Sequence, residues 1–112
     1  MVPTHDNNKT DQSSKVLSIS FQEGFLNEKV QVYCNDIEMY AQSGVTTDIR
    51  TGLAVTTEIP LEEGLNRIRI TLSDRDLSKE FQIRSAGRYY IGASIVHDDL
   101  NLKFSDQPFG YL

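Results

Sequence analysis

From Val16 to Phe104 the sequence repeats one pattern: short runs of alternating apolar and polar residues, cut by glycine, proline or Asn/Asp turns. A period of two places successive side chains on opposite faces of a strand. The stretch Thr47–Ile70 shows it best. A turn at Thr47-Asp48-Ile49-Arg50-Thr51-Gly52 leads into Leu53, Val55, Thr57 and Ile59, with Ala54, Thr56 and Glu58 opposite them. Pro60 lacks an N–H and stops that ladder. Glu62-Glu63-Gly64 turns the chain into Ile68, Ile70 and Leu72, which face inward while Arg67, Arg69 and Thr71 face water.

The same grammar extends in both directions. Leu17, Ile19 and Phe21 alternate with Ser18 and Ser20 as a half-buried strand. Phe25 and Leu26, in the connection around Gly24, are expected to plug one end of the core. Val30, Val32 and Cys34 form the next inner face, and Asn35-Asp36 supplies a tight hairpin turn. The return strand spans Ile37–Tyr40, ended by Gln42-Ser43-Gly44. After Ser73-Asp74-Arg75-Asp76, Phe81 and Ile83 anchor a strand that ends at Ser85-Ala86-Gly87. Tyr89, Ile91, Ala93 and Ile95 alternate with Tyr90, Gly92, Ser94 and Val96, as in a central strand covered on both sides. His97-Asp98-Asp99 turns into a closing strand with Leu100, Leu102 and Phe104. No stretch carries a helical period. About seven or eight short strands, with turn signals about every 8–12 residues, predict a single antiparallel β-sandwich over residues 16–112. Residues 1–15 are almost wholly polar and aperiodic, the composition of a disordered leader.

Composition narrows the function. The net charge is −5 over 112 residues, which disfavours nucleic acid, whose ligands present a basic face. No run approaches the roughly 20 apolar residues of a membrane span. The leader has no apolar stretch of signal-peptide type, and one cysteine, Cys34, cannot make an internal disulfide. A cytoplasmic setting is therefore expected over an extracellular one. Asn8-Lys9-Thr10 matches a glycosylation acceptor, which acts only in a secretory pathway.

Four groups of residues invite a chemical reading. His97, Asp98 and Asp99, with Asp106, could offer ligands to a cation. Calcium wants six to eight oxygens and zinc several His or Cys, so turn chemistry is the simpler account. Cys34 shares the inner face with Val30 and Val32, and no neighbour in sequence would lower its pKa. Arg67, Arg69, Arg75, Lys79, Arg84 and Arg88 place six of the eleven basic residues within 22 positions. Arg67, Arg69 and Arg84 could share a face and meet an acidic partner, or be balanced by Asp74, Asp76 and Glu80. Tyr33, Tyr40 and Tyr90 are expected on outer faces, where aromatics serve interfaces. The apolar tail, Phe109, Tyr111 and Leu112, is a candidate for docking on the chain's own core or on a second subunit.

Val30 and Val32, Asn35-Asp36, Thr47-Asp48, Gly52, Gly64, and Ile68 with Ile70 follow one another as in transthyretin-like (prealbumin-like) β-sandwiches, including carboxypeptidase regulatory-like domains. Residues 28–72 resemble that family, which implies an immunoglobulin- or prealbumin-like sandwich. Gly52 follows Asp48 by four positions, where the family's repeat has one or two. The enzymatic branch, the hydroxyisourate hydrolases, ends in Tyr-Arg-Gly-Ser and carries several cleft histidines. This chain ends Phe109-Gly110-Tyr111-Leu112 and has two histidines, so no catalytic residue is carried over and no cofactor is implied. The expected function is a non-catalytic binding or protein-interaction module, with a protein partner or self-association. A carbohydrate- or calcium-binding accessory domain and a small transthyretin-like hydrolase are the alternatives.

Overall fold

The computed structural model describes residues 15–110. Eight strands follow in order: β1 (Val16–Phe21), β2 (Glu28–Cys34), β3 (Ile37–Val45), β4 (Val55–Pro60), β5 (Leu65–Leu72), β6 (Leu77–Arg84), β7 (Arg88–Val96) and β8 (Asp99–Ser105). One 3-10 turn, Ser73–Arg75, joins β5 to β6. They form two four-stranded sheets, β4-β1-β7-β8 and β3-β2-β5-β6. The inner faces meet in a core of Leu17, Ile19, Phe21, Ile59, Ile91 and Leu100 against Val30, Val32, Ile68, Ile70 and Leu72. The chain is thus the expected β-sandwich. Of the 112 residues, 1–14, with Asn8-Lys9-Thr10, and Tyr111 and Leu112 lie outside those described.

Hairpin chemistry explains the tight connections. Asn35 and Asp36 both take positive φ, 53° and 69°, and so do His97 and Asp98, 53° and 63°. That is the type I′ geometry whose twist matches paired strands.

Several boundaries differ from the sequence expectation, each for a physical reason. Lys15 already belongs to the fold: its carbonyl accepts the Leu61 N–H at 3.0 Å, and its ammonium pairs with Glu63. β1 is not half-buried; Ser18 and Ser20 are only 8% and 7% exposed. β1 lies between β4 and β7, so Ser18 is flanked by Glu58 and Tyr90, and Ser20 bonds Thr56 at 3.2 Å. Its pairing with β7 is parallel, the one such pairing among the named strands. β4 starts at Val55, because Leu53 is drawn into a bridge with Asp48.

β3 runs on to Val45 through two β-bulges. Gly44, at φ 70°, sits in the bulge between the Val30–Gln42 and Glu28–Val45 pairs. A glycine accepts that conformation without strain, so the strand bends there and continues. The other bulge inserts Met39 between Glu38, opposite Tyr33, and Tyr40, opposite Val32. This extra residue reverses the alternation. Tyr40 consequently turns inward and stacks on Phe21 at 6.4 Å, instead of lying on the outer face. Phe25 plugs the core edge-on to Phe21 as expected, but Leu26 is 74% exposed.

One fully buried polar residue closes an end of the sandwich. Asn66 donates to the carbonyls of Glu62 (2.9 Å) and Gly64 (3.2 Å) and accepts from the Glu62 N–H (2.9 Å). Its oxygen also accepts from the Asn35 amide at 3.3 Å, and Asn35 in turn accepts the Arg67 N–H. The β2–β3 and β4–β5 connections are tied together through this pair. Asn66→Ala removes the side-chain partner of the Glu62 N–H and of the Glu62 and Gly64 carbonyls, a cost of about 1–3 kcal/mol. Urea unfolding should show that loss as a lower midpoint with an unchanged slope.

Candidate functional site

The arginine face forms, and two of its three cations, Arg67 and Arg69, are paired with carboxylates, while Arg84 enters no ion pair among the described residues. Arg67 and Arg69 project from the outer face of β5, and Arg84 lies on that face opposite Leu65. Arg67 bonds Asp36 and reaches Glu80 at 2.9 Å. Arg69 reaches Asp36 at 3.8 Å and covers the Tyr33 ring at 4.4 Å, a cation–π contact. The Arg67 hydrogen bond and charge hold the Asp36 carboxyl below its ordinary pKa. A carboxyl whose folded pKa is depressed takes up its proton more readily in the unfolded chain. Its contribution is therefore full above the ordinary carboxylate range and lost as pH falls through the folded value. Asp36→Asn keeps a residue suited to positive φ and should lower the melting temperature slightly at pH 5 and above, the two proteins converging as pH falls through the folded pKa, so that the acid limb of the variant is flatter.

The turn residues of the hairpin β7–β8 are engaged separately. Asp98 pairs with Arg75 at 3.3 Å, and Asp99 with Lys79 at 3.7 Å while also accepting the Leu100 N–H. Asp106 stands beyond the other end of β8, about 20 Å away at ordinary strand rise. The expected proximity of Asp106 to this turn is corrected by the length of the strand. Among the described residues no group of three His, Cys, Asp or Glu is placed to hold a metal. Arg75 also bonds the buried Glu28 at 2.9 Å, tying the start of β2 to the β7–β8 turn.

Thr47 and Asp48 organise the crossover between sheets. The Thr47 hydroxyl donates to the Gln22 carbonyl (2.6 Å) and accepts the Phe25 N–H (3.0 Å). Asp48 accepts from the Arg50 N–H at 2.9 Å, and its carbonyl takes the Gly52 N–H at 2.8 Å. These groups are occupied in holding the loop.

Cys34 is 4% exposed, and its thiol lies 3.5 Å from the Asn66 oxygen. Burial, followed by the nearby charge of Glu62, pushes its pKa up. A thiol kept protonated and covered is a poor nucleophile. Iodoacetamide at pH 8 should modify native Cys34 at least about 100-fold more slowly than the urea-unfolded chain, since reaction must await opening.

A different feature is left open to solvent. On the side where edge strands β6 and β8 face each other, a groove of about 380 Å³ is lined by Gln82, Ile83, Tyr89, Tyr90, Phe104, Ser105 and Asp106. Its surface is mainly apolar. Phe104 is 57% exposed and meets Phe81 edge-on at 5.2 Å. Tyr89 is on the inner face opposite Leu17, and Tyr90 on the outer face opposite Ser105, so the groove wraps around the end of β8. No described residue bonds the Asp106 carboxylate. Sequence reasoning placed Phe104 in the closing strand with Leu100 and Leu102 and gave no sign of the groove. The missing information was that β8 is an edge strand.

The tail that follows is half-buried at Phe109. Among the described residues, no helix is long and apolar enough to cross a membrane. No known family model matches the chain, and no curated protein does.

Proposed function

We propose that this protein is a non-catalytic binding module whose contact surface is the groove between β6 and β8. The supporting observation is the chemistry of that groove: Tyr89, Tyr90 and Phe104 beside the Asp106 carboxylate, which no described residue bonds. A preformed concave site with an apolar lining and few polar groups is the usual form of a ligand pocket. Of the arginines that could attract an acidic partner, Arg67 and Arg75 are engaged with Asp36, Glu80, Glu28 and Asp98, which leaves Arg84 alone on that face without an ion pair among the described residues. A partner would insert an apolar group rather than present an anionic surface. The carbohydrate alternative would use the same aromatics, but sugars need more hydrogen-bonding groups than Gln82, Ser105 and Asp106 offer. Kinship with transthyretin-like domains is supported by the two four-stranded sheets and by the placement of the Thr47–Gly52 and Gly64 turns between strands.

Titration of the 15N-labelled protein with small aromatic and aliphatic fragments tests this reading. Amide shifts should cluster at Ile83, Tyr89, Tyr90 and Phe104 and vanish in a folded Phe104→Ser variant. Shifts concentrated instead on the Arg67–Arg69 face, or unaffected by Phe104→Ser, would sink it.

A further inference from the structure

The geometry points to a small molecule bearing a quaternary ammonium group as the ligand of the β6–β8 groove, a step that rests on the binding-module reading above. Tyr89 and Phe104 on the inner side and Tyr90 on the outer side line the groove around the end of β8, and Asp106 lines it as well. Neutral apolar ligands would use the rings and leave the exposed Asp106 carboxylate at the groove unused. A methylated ammonium satisfies both: its methyl groups cover the rings, and its charge is attracted by the ring faces and by the carboxylate. An ordinary ammonium would lose several hydrogen bonds to water that these rings cannot replace.

The charges of the molecule agree with this sign. Glu23, Glu38, Glu62, Asp74, Asp76 and Asp106 enter no ion pair among the described residues, against Lys29, Arg84 and Lys103 among the bases. Arg88, at the start of β7 next to Tyr89, reaches Glu58 on β4 at 3.2 Å. The volume, about 380 Å³, stands near the lower end of ligand pockets, which run from about 300 to 1,000 Å³. That favours a free small molecule over a peptide segment carrying a methylated lysine.

Choline and its neutral carbon isostere, 3,3-dimethylbutan-1-ol, separate the contributions. Followed by 15N–1H shifts, choline should perturb Tyr89, Tyr90, Phe104 and Asp106 and bind at least about 5-fold more tightly than the isostere. Asp106→Asn and Phe104→Leu, each checked for an intact spectrum elsewhere, should each weaken choline several-fold and leave the isostere little changed or, for Phe104→Leu, modestly weaker. Equal binding of the two compounds, or preference for a methyl glucoside, overturns the quaternary-ammonium assignment while the groove survives as a binding site. Tighter binding of a trimethyllysine peptide than of choline overturns the small-molecule source. If choline fails but apolar fragments still occupy the groove, only this inference falls; if nothing occupies it, both readings fall.

Discussion

The parallel pairing of β1 with β7 is the constraint on which the rest of the architecture depends. It joins Val16–Phe21 to Arg88–Ala93, segments about seventy residues apart in the chain. β4 pairs to one side of β1, and β8 extends the sheet beyond β7, so this register fixes where both edges of the sheet fall. It also explains why β1 is buried on both faces despite its serines. Without that seam Leu17, Ile19 and Phe21 would have no sheet partner opposite Tyr89, Ile91 and Ala93. Such a contact closes a long loop before it gains stability, so it is the step expected to slow folding most. The groove is a downstream consequence, since Tyr89 and Tyr90 are held in place by Leu17 and Ser18 on β1.

The two ends of the sandwich are closed by polar side chains rather than by more core. At one end Asn66 and Asn35 satisfy the loop backbone; at the other Thr47 draws the β1–β2 connection against the crossover. Gly24 is needed there. At φ 87° a side chain would be strained, and a Cβ would run into the Ile95 carbonyl oxygen. With both ends filled this way, the long flank between β6 and β8 is where aromatic surface stays accessible. The position of the candidate site therefore follows from how the ends are sealed.

Most strands were legible because alternation survives wherever one face is buried and the other is wet. Val30, Val32, Cys34 and Ile68, Ile70, Leu72 are such cases. It misled where an extra residue broke the count: the bulge at Met39 moved Tyr40 from the outer face to the core. It was silent about strand order, because periodicity within a strand carries nothing about its neighbour. For that reason the groove that Phe104 lines was missed. The Arg67–Arg69 face was located correctly from period two, but its pairing with Asp36 and Glu80 required the β2–β3 turn and β6 to be placed beside it.

That pairing decides how the surface charge should be understood. Arginines close together in sequence suggest an anion-binding face, and the sheet does gather them. Yet an exposed cation whose nearest neighbours are carboxylates presents little net field beyond a Debye length of about 8–10 Å. Arg67 meets two acids, Arg69 is additionally spread over the Tyr33 ring, and Arg75 is drawn toward the buried Glu28. Among the described residues the excess negative charge therefore resides on carboxylates that enter no ion pair. Among them Asp106 is the one that lines an aromatic recess. The feature that distinguishes this surface is consequently its local pairing of unshielded negative charge with aromatic surface, not the number of its basic residues.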